Sequence, residues 1–136
     1  RFGDPETQVV LPLLETDLLS IFESINNETL KNISLKWANQ HTVCVVLASG
    51  GYPDQYEKNK IIHGLKKQSP GITLIHAGTN NNKENIITTG GRVLGVVSQS
   101  SKLDQAIQNA YDHIPNISFD KMTYRSDIGR KASKYQ

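Results

Sequence analysis

Apolar residues first recur at helical spacing. Val9, Val10, Leu13 and Leu14 make one stripe, and Leu18, Leu19, Phe22 and Ile25 extend it, which predicts helix over residues 5–25. Pro12 lies inside this stretch, removes a backbone donor and predicts a kink or two short helices. Asp17 supplies a fresh N-cap for the second of them. Asn26-Asn27 ends the pattern. Residues 26–36 then read as a polar connection, with Leu30, Ile33 and Leu35 tucked against a neighbouring surface.

The period then changes. Residues 42–48 are a β-branched, almost continuous apolar run, predicting a strand buried on both faces or in a sandwich core. Ser49-Gly50-Gly51-Tyr52-Pro53 is a break and a turn, and residues 54–60 are polar and expected to be exposed. Residues 61–65 are expected as a short strand ended by Gly64, and residues 72–77 as another, followed by a soft Asn-rich loop over 78–85. Residues 86–89 and 92–98 flank Gly90-Gly91, a hairpin signal. Ser101 is the predicted N-cap of one helix, with Leu103, Ala106, Ile107, Ala110, Tyr111 and Ile114 on a single face and Pro115 ending it. An extended segment over 117–124 and a polar, frayed tail over 131–136 follow. The expected fold class is α+β: a helical part over residues 1–33, then a small β-rich, barrel- or sandwich-like domain with one packed helix over 34–136.

Composition narrows the partners. The chain has 136 residues, with 15 basic and 13 acidic side chains and a formal net charge of +2, so there is no polybasic footprint for nucleic acid or an anionic membrane. No apolar run approaches the ~20 residues a membrane span requires, and no signal peptide is visible, so a cytoplasmic location is expected. The single cysteine, Cys44, allows no internal disulfide and sits in an apolar run where a thiol acts as a small buried hydrophobe. The Asn-x-Ser/Thr triplets at Asn27, Asn32 and Asn116 are read as accidental.

The candidate chemistry clusters at the start. In Arg1-Phe2-Gly3-Asp4-Pro5-Glu6-Thr7-Gln8, Gly3 permits a turn and Asp4-Pro5 reads as an N-cap followed by the first helical position. Glu6 falls in that first turn, where the helix dipole favours an anion. Arg1 adds a planar donor fork suited to a carboxylate or a phosphate. By physics alone this is a capped helix with surface charge. Elsewhere, Gly50-Gly51 is a turn able to offer backbone N–H groups to a phosphate. Arg92 is a cation at a strand start, His76 a ring expected to be satisfied by packing, and Arg125 with Asp127 an ion pair.

That opening string resembles the signature of the phosphoribosylamine–glycine ligase (glycinamide ribonucleotide synthetase) family, which are ATP-grasp enzymes. The resemblance continues in Leu13-Leu14-Glu15-Thr16-Asp17-Leu18-Leu19, in Val45-Val46-Leu47-Ala48-Ser49-Gly50-Gly51-Tyr52-Pro53 and in His76-Ala77-Gly78-Thr79. It also includes Gly90-Gly91-Arg92-Val93-Leu94 and Tyr124-Arg125-Ser126-Asp127-Ile128-Gly129, so it spans nearly the whole chain.

The resemblance implies that residues 1–33 are the end of an ATP-grasp catalytic domain and residues 34–136 a separate C-terminal domain. It implies an ATP-dependent ligase joining glycine to 5-phosphoribosylamine through a glycyl phosphate, with ATP and Mg2+ (or Mn2+) as cofactors. The family's metal-holding Glu and Asn stand just before the Arg of the signature, so the ligands are expected upstream of Arg1 and none in this chain. The piece alone is therefore expected to be inactive, with the upstream ATP-grasp part as its partner. Arg1 is expected to face the acyl phosphate, and Asp4 to accept from the amine of either substrate or to cap its helix. Glu6, Gly50, Gly51 and Arg92 are the further substrate-binding candidates. The competing reading is a free-standing β-rich ligand-binding or carrier-like module, with Lys83 as the only lysine placed to be modified.

Overall fold

The computed structural model describes residues 2–67 and 69–132, so Arg1 and the end of the tail lie outside the described residues. The helical opening divides at Pro12, as its sequence predicts. Helix α1 (Thr7–Val10) runs into a 3-10 turn (Leu11–Leu13) that carries the proline in its first turn. Helix α2 (Leu18–Asn26) starts at Asp17, whose carboxylate accepts the backbone N–H of Ser20 at 2.8 Å. The Ser20 N–H, and then the Ser20 hydroxyl that donates to the same oxygen at 2.9 Å, hold the Asp17 carboxyl below the usual carboxylate range. Asp4 is not a cap. Its carboxylate is engaged by Arg92 and Gln8, and Glu6 occupies the N-cap position of α1 without a capping bond.

Strands β1 (His41–Ala48), β2 (Ile72–His76) and β5 (Arg92–Ser100) form one antiparallel sheet in the order β1-β5-β2. Its register sorts the side chains. Val43, Val45 and Leu47 stand opposite Ser98, Val96 and Leu94, and Ile72 and Leu74 stand opposite Ser98 and Val96, so all share one face. Helix α3 (Leu103–His113) covers that face with Ala106 and Ala110, and Ile114 follows in the 3-10 turn (Ile114–Asn116) that contains Pro115. Ile117 and Phe119 close the core from the segment beyond. The expected apolar face of α3 is the observed one. Its start falls after Lys102 rather than at Ser101, with no side-chain cap.

Three expectations for the strands are corrected. Residues 78–85 are not a loop: β3 (Thr79–Asn82) and β4 (Asn85–Thr88) pair as a hairpin turning at Lys83-Glu84. Consequently Gly90-Gly91 is not a hairpin turn but the passage from that second sheet into β5. Gly78 and Gly90 meet there backbone to backbone, and a Cβ at Gly78 would lie 2.7 Å from the Gly90 Cα. Residues 61–65 form no strand; Ile61 and His63 make single bridges to Ile87 and Ser118. This short apolar stretch meets no continuous partner edge, so its composition alone does not make a ladder.

The opposite sheet face receives the start of the chain. Helix α1 and its 3-10 turn pack on β1 and β5, and the Gln99 amide donates to the Pro12 carbonyl at 2.9 Å. Helix α2 behaves differently. It stands on an excursion that leaves at Leu13 and returns at Trp37–Ala38, where Ala38 N–H donates to Leu13 O at 2.8 Å. Its apolar side is open: Leu19 is 63% exposed and Ile25 54%, and no residue of α2 is buried.

One buried titratable group sets a pH dependence. His113 ends α3 with Nδ1 at 3.0 Å from Ser69 Oγ, while Nε2 is buried without a partner among the described residues. Burial first, then the charge of Lys67, lowers its pKa from the ordinary histidine value. A base whose folded pKa is depressed binds its proton more readily when unfolded, so stability falls as pH drops through the unfolded value of about 6.5. Thermal melts at pH ~7.5 and ~5.5 should show a larger loss in the wild-type chain than in His113→Gln. Equal losses would remove His113 as the cause.

Candidate functional site

A register shift decides where Arg92 points. Leu47 pairs with Leu94, yet the next residue, Ala48, pairs with Arg92, so β5 carries one extra residue at Val93. Strict alternation would send Arg92 to the α3 face together with Leu94. The slip turns it to the face that holds α1, and Val93 is fully buried at the corner. Arg92 there meets Asp4, Nη2 to Oδ2 at 2.9 Å, and Nη1 lies 3.4 Å from the Asp4 carbonyl. Two candidates assigned from separate parts of the sequence thus form one pair. Both side chains are substantially exposed, at 40% and 54%, so the pair is worth at most about 1 kcal/mol of stability. Its consequence is orientation.

Arg92 also borders an open cleft of about 410 Å³, with Val46 and Ala48 as the floor and Tyr52, Thr123, Tyr124 and Arg125 as walls. Tyr52 is placed by the turn at Gly50-Gly51. Gly51 has φ +93°, and a Cβ on it would lie 2.1 Å from the Gln55 carbonyl, so the turn requires glycine. The Tyr52 ring then lies over Gly91, where a Cβ would come within 2.2 Å of it. On the other wall, Tyr111 OH donates to the Arg125 carbonyl at 2.8 Å and accepts from Ile128 N–H at 3.0 Å, which fixes the segment carrying Tyr124 and Arg125. The Arg125 guanidinium is paired with Asp127 through two bonds of 2.8 and 2.6 Å, as its spacing predicts. The cleft is therefore aromatic, with two guanidiniums on its rim that are each paired with a carboxylate, and their remaining N–H donors suit an anionic group on a ring-sized body.

The remaining candidates are distributed as follows. The Glu6 side chain folds back over Gly3 rather than toward Arg92. Gly50 packs against the backbone of Lys121, 2.6 Å from where its Cβ would meet the carbonyl, and Gly50-Gly51 adjoins the cleft through Tyr52. Arg1 lies outside the described residues. His76 is partnered by Thr79, Nδ1 to Oγ1 at 2.9 Å. Cys44 is half-buried beneath Asp4 and Arg92, and burial followed by the Asp4 charge pushes its thiol up to about 11, which keeps it protonated. Lys83 does sit at a hairpin tip, at φ +52°. Sequence reasoning missed Tyr52, Tyr124 and Arg125 as site residues. Each lies in a block that carries the family resemblance, but a turn and an ion pair explained them locally. Among the described residues no three His, Cys, Asp or Glu side chains come together as metal ligands. No helix among them is long and apolar enough to cross a membrane.

The α+β fold, with antiparallel sheets and one packed helix, matches known proteins over most of the chain. The phosphoribosylglycinamide synthetase C domain family matches residues 42–131, and the chain belongs to that family. It is 50% identical over 135 residues to the bifunctional purine biosynthetic protein purD of Dictyostelium discoideum, covering 97% of the chain and 17% of that protein. It is 45% identical over 132 residues to the phosphoribosylamine–glycine ligase of Fusobacterium nucleatum, covering 95% of the chain and 31% of the relative. A crystal structure of phosphoribosylamine–glycine ligase from Thermotoga maritima superposes with a TM-score of 0.71 at 30% identity, over 93% of the chain and 31% of that protein. The chain thus spans less than a third of the length of each of these relatives.

Proposed function

We propose that the chain is the C-terminal part of an ATP-dependent ligase that joins glycine to 5-phosphoribosylamine, giving glycinamide ribonucleotide, ADP and phosphate. Residues 1–33 are the end of the ATP-grasp catalytic domain, and residues 34–136 the small curved, barrel-like domain that closes over it in the cytoplasm. The observation that carries this reading is the Asp4–Arg92 pair, which joins the opening signature to the Gly-Gly-Arg strand at the mouth of the cleft. The open apolar side of α2 supports the division, since Leu19, Phe22 and Ile25 fit burial against the rest of a catalytic domain.

In this reading Arg92 holds the phosphate of phosphoribosylamine, with Tyr52 and Tyr124 enclosing the sugar and the Gly50-Gly51 turn setting one wall. Asp4 keeps the guanidinium aimed, Glu6 shields the turn, and Arg1 faces the acyl phosphate. ATP and Mg2+ or Mn2+ serve the upstream part.

The test is ADP release by the full-length protein, expected only when glycine and phosphoribosylamine are both present. The 136-residue chain alone should show no Mg-dependent heat with ATP in calorimetry. Release that ignores either substrate would sink the assignment.

A further inference from the structure

Gln8 is the least conspicuous residue of the opening signature, and nothing in its sequence context marks it for chemistry. In the fold its amide Nε2 donates to Asp4 Oδ1 at 3.0 Å, while Asp4 Oδ2 is the atom paired with Arg92 Nη2 at 2.9 Å. The three side chains therefore form one relay, with the carboxylate held at both oxygens. A carboxylate only accepts, so the amide must present its nitrogen to Asp4. That orientation leaves Gln8 Oε1 buried and without a partner among the described residues. Among the described residues the side-chain amide therefore bonds only Asp4.

Asp4 and Gln8 stand over Cys44, Val46 and Gly95 beside Arg92, so the inner side of the carboxylate is packed while its outer side is open to solvent. Gly95 makes room for Cys44 beneath it, with a would-be Cβ 3.1 Å from Sγ. Gln8 is half-buried and its bond to Asp4 is exposed, so what the amide adds is direction: it holds the second oxygen of a carboxylate whose first oxygen is paired with Arg92.

We propose that Gln8 is a positioning residue: it fixes the Asp4 carboxylate, which in turn aims the Arg92 guanidinium into the Tyr52–Tyr124 cleft for an anionic substrate group. This rests on the proposed function for the identity of the substrate, but the relay itself stands on geometry. Gln8 touches no substrate. Its loss relaxes Arg92 from one orientation to several, which weakens a ground-state contact to the phosphate and leaves the reacting atoms untouched.

The test uses Gln8→Leu and the nearly isosteric Gln8→Glu, which keeps the shape but removes the donor, in the full-length protein. Both are expected to raise KM for phosphoribosylamine about tenfold with kcat and KM for glycine within about twofold. Added to Arg92→Ala, neither should have any further effect, because the relay then has nothing to aim. An unchanged KM, or a full tenfold added loss in the Arg92→Ala background, would overturn the proposal. A second readout needs no turnover: 15N NMR of the Arg92 guanidinium on the same protein should show faster rotation in both variants. Equal rotation would overturn the relay. Absence of ligase activity in the wild type, with rotation changed, would overturn only the assigned function.

Discussion

Alanine in place of Arg92 is expected to lower kcat/KM for phosphoribosylamine by about 10²-fold in the full-length protein, the effect of losing a charge-assisted bond of about 2–3 kcal/mol. The register slip at Ala48 brings Arg92 to the α1 face. Asp4 engages one side of the guanidinium, and the cleft lies on the other. Most of the loss should appear in KM, since the phosphate is remote from the amine that reacts. Arg92→Lys should recover only part of it, because an ammonium cannot bond Asp4 and a phosphate in one plane. The folding midpoint should hardly move, as an exposed pair contributes little. Steady-state kinetics with a parallel thermal melt separates the two. A matched fall in stability and rate would make Arg92 a structural residue.

The largest expected effect on stability is at Leu94. It is fully buried on β5, the central strand, directly opposite Leu47 on β1 and His76 on β2. Leu94→Ala removes its apolar area from the face under α3 and leaves a cavity that a three-stranded sheet cannot collapse around. The cost is expected at about 2–5 kcal/mol. A domain of ordinary stability has only about 5–15 kcal/mol, so the melting midpoint should fall by about 10 °C or more. Leu19→Ala removes the same atoms from a side chain 63% exposed on α2, and in the isolated chain should stay within about 0.5 kcal/mol of wild type. Similar shifts for the two would mean that α2 is buried in this chain.

How much of this was legible in the sequence differs by element. Helix α2 was readable because Asp17 and the spacing of Leu18, Leu19, Phe22 and Ile25 are local signals. The same holds for α3 with its alanines, and for β1, whose β-branched run has no helical alternative. The β3–β4 hairpin was hidden because Thr79–Asn82 is all polar, and pairing there is decided by β4 and not by its own composition. Gly90-Gly91 looked like a turn between strands that pair, although each strand pairs elsewhere. At the site, Asp4 and Arg92 were each identified, but for separate roles.

The sequence by itself determined the kind of chain this is: helices α2 and α3, strands β1, β2 and β5, and the blocks that place it in its family. Those are properties of neighbouring residues, and neighbours are fixed by covalent bonds. Only the tertiary structure decided that Asp4 meets Arg92 across 88 residues, that Gln8 stands behind it, and that α2 keeps its apolar side open. Each of these depends on a single-residue register or on which surfaces find a partner. A strand shifted by one residue presents the opposite face, and no local pattern records that shift.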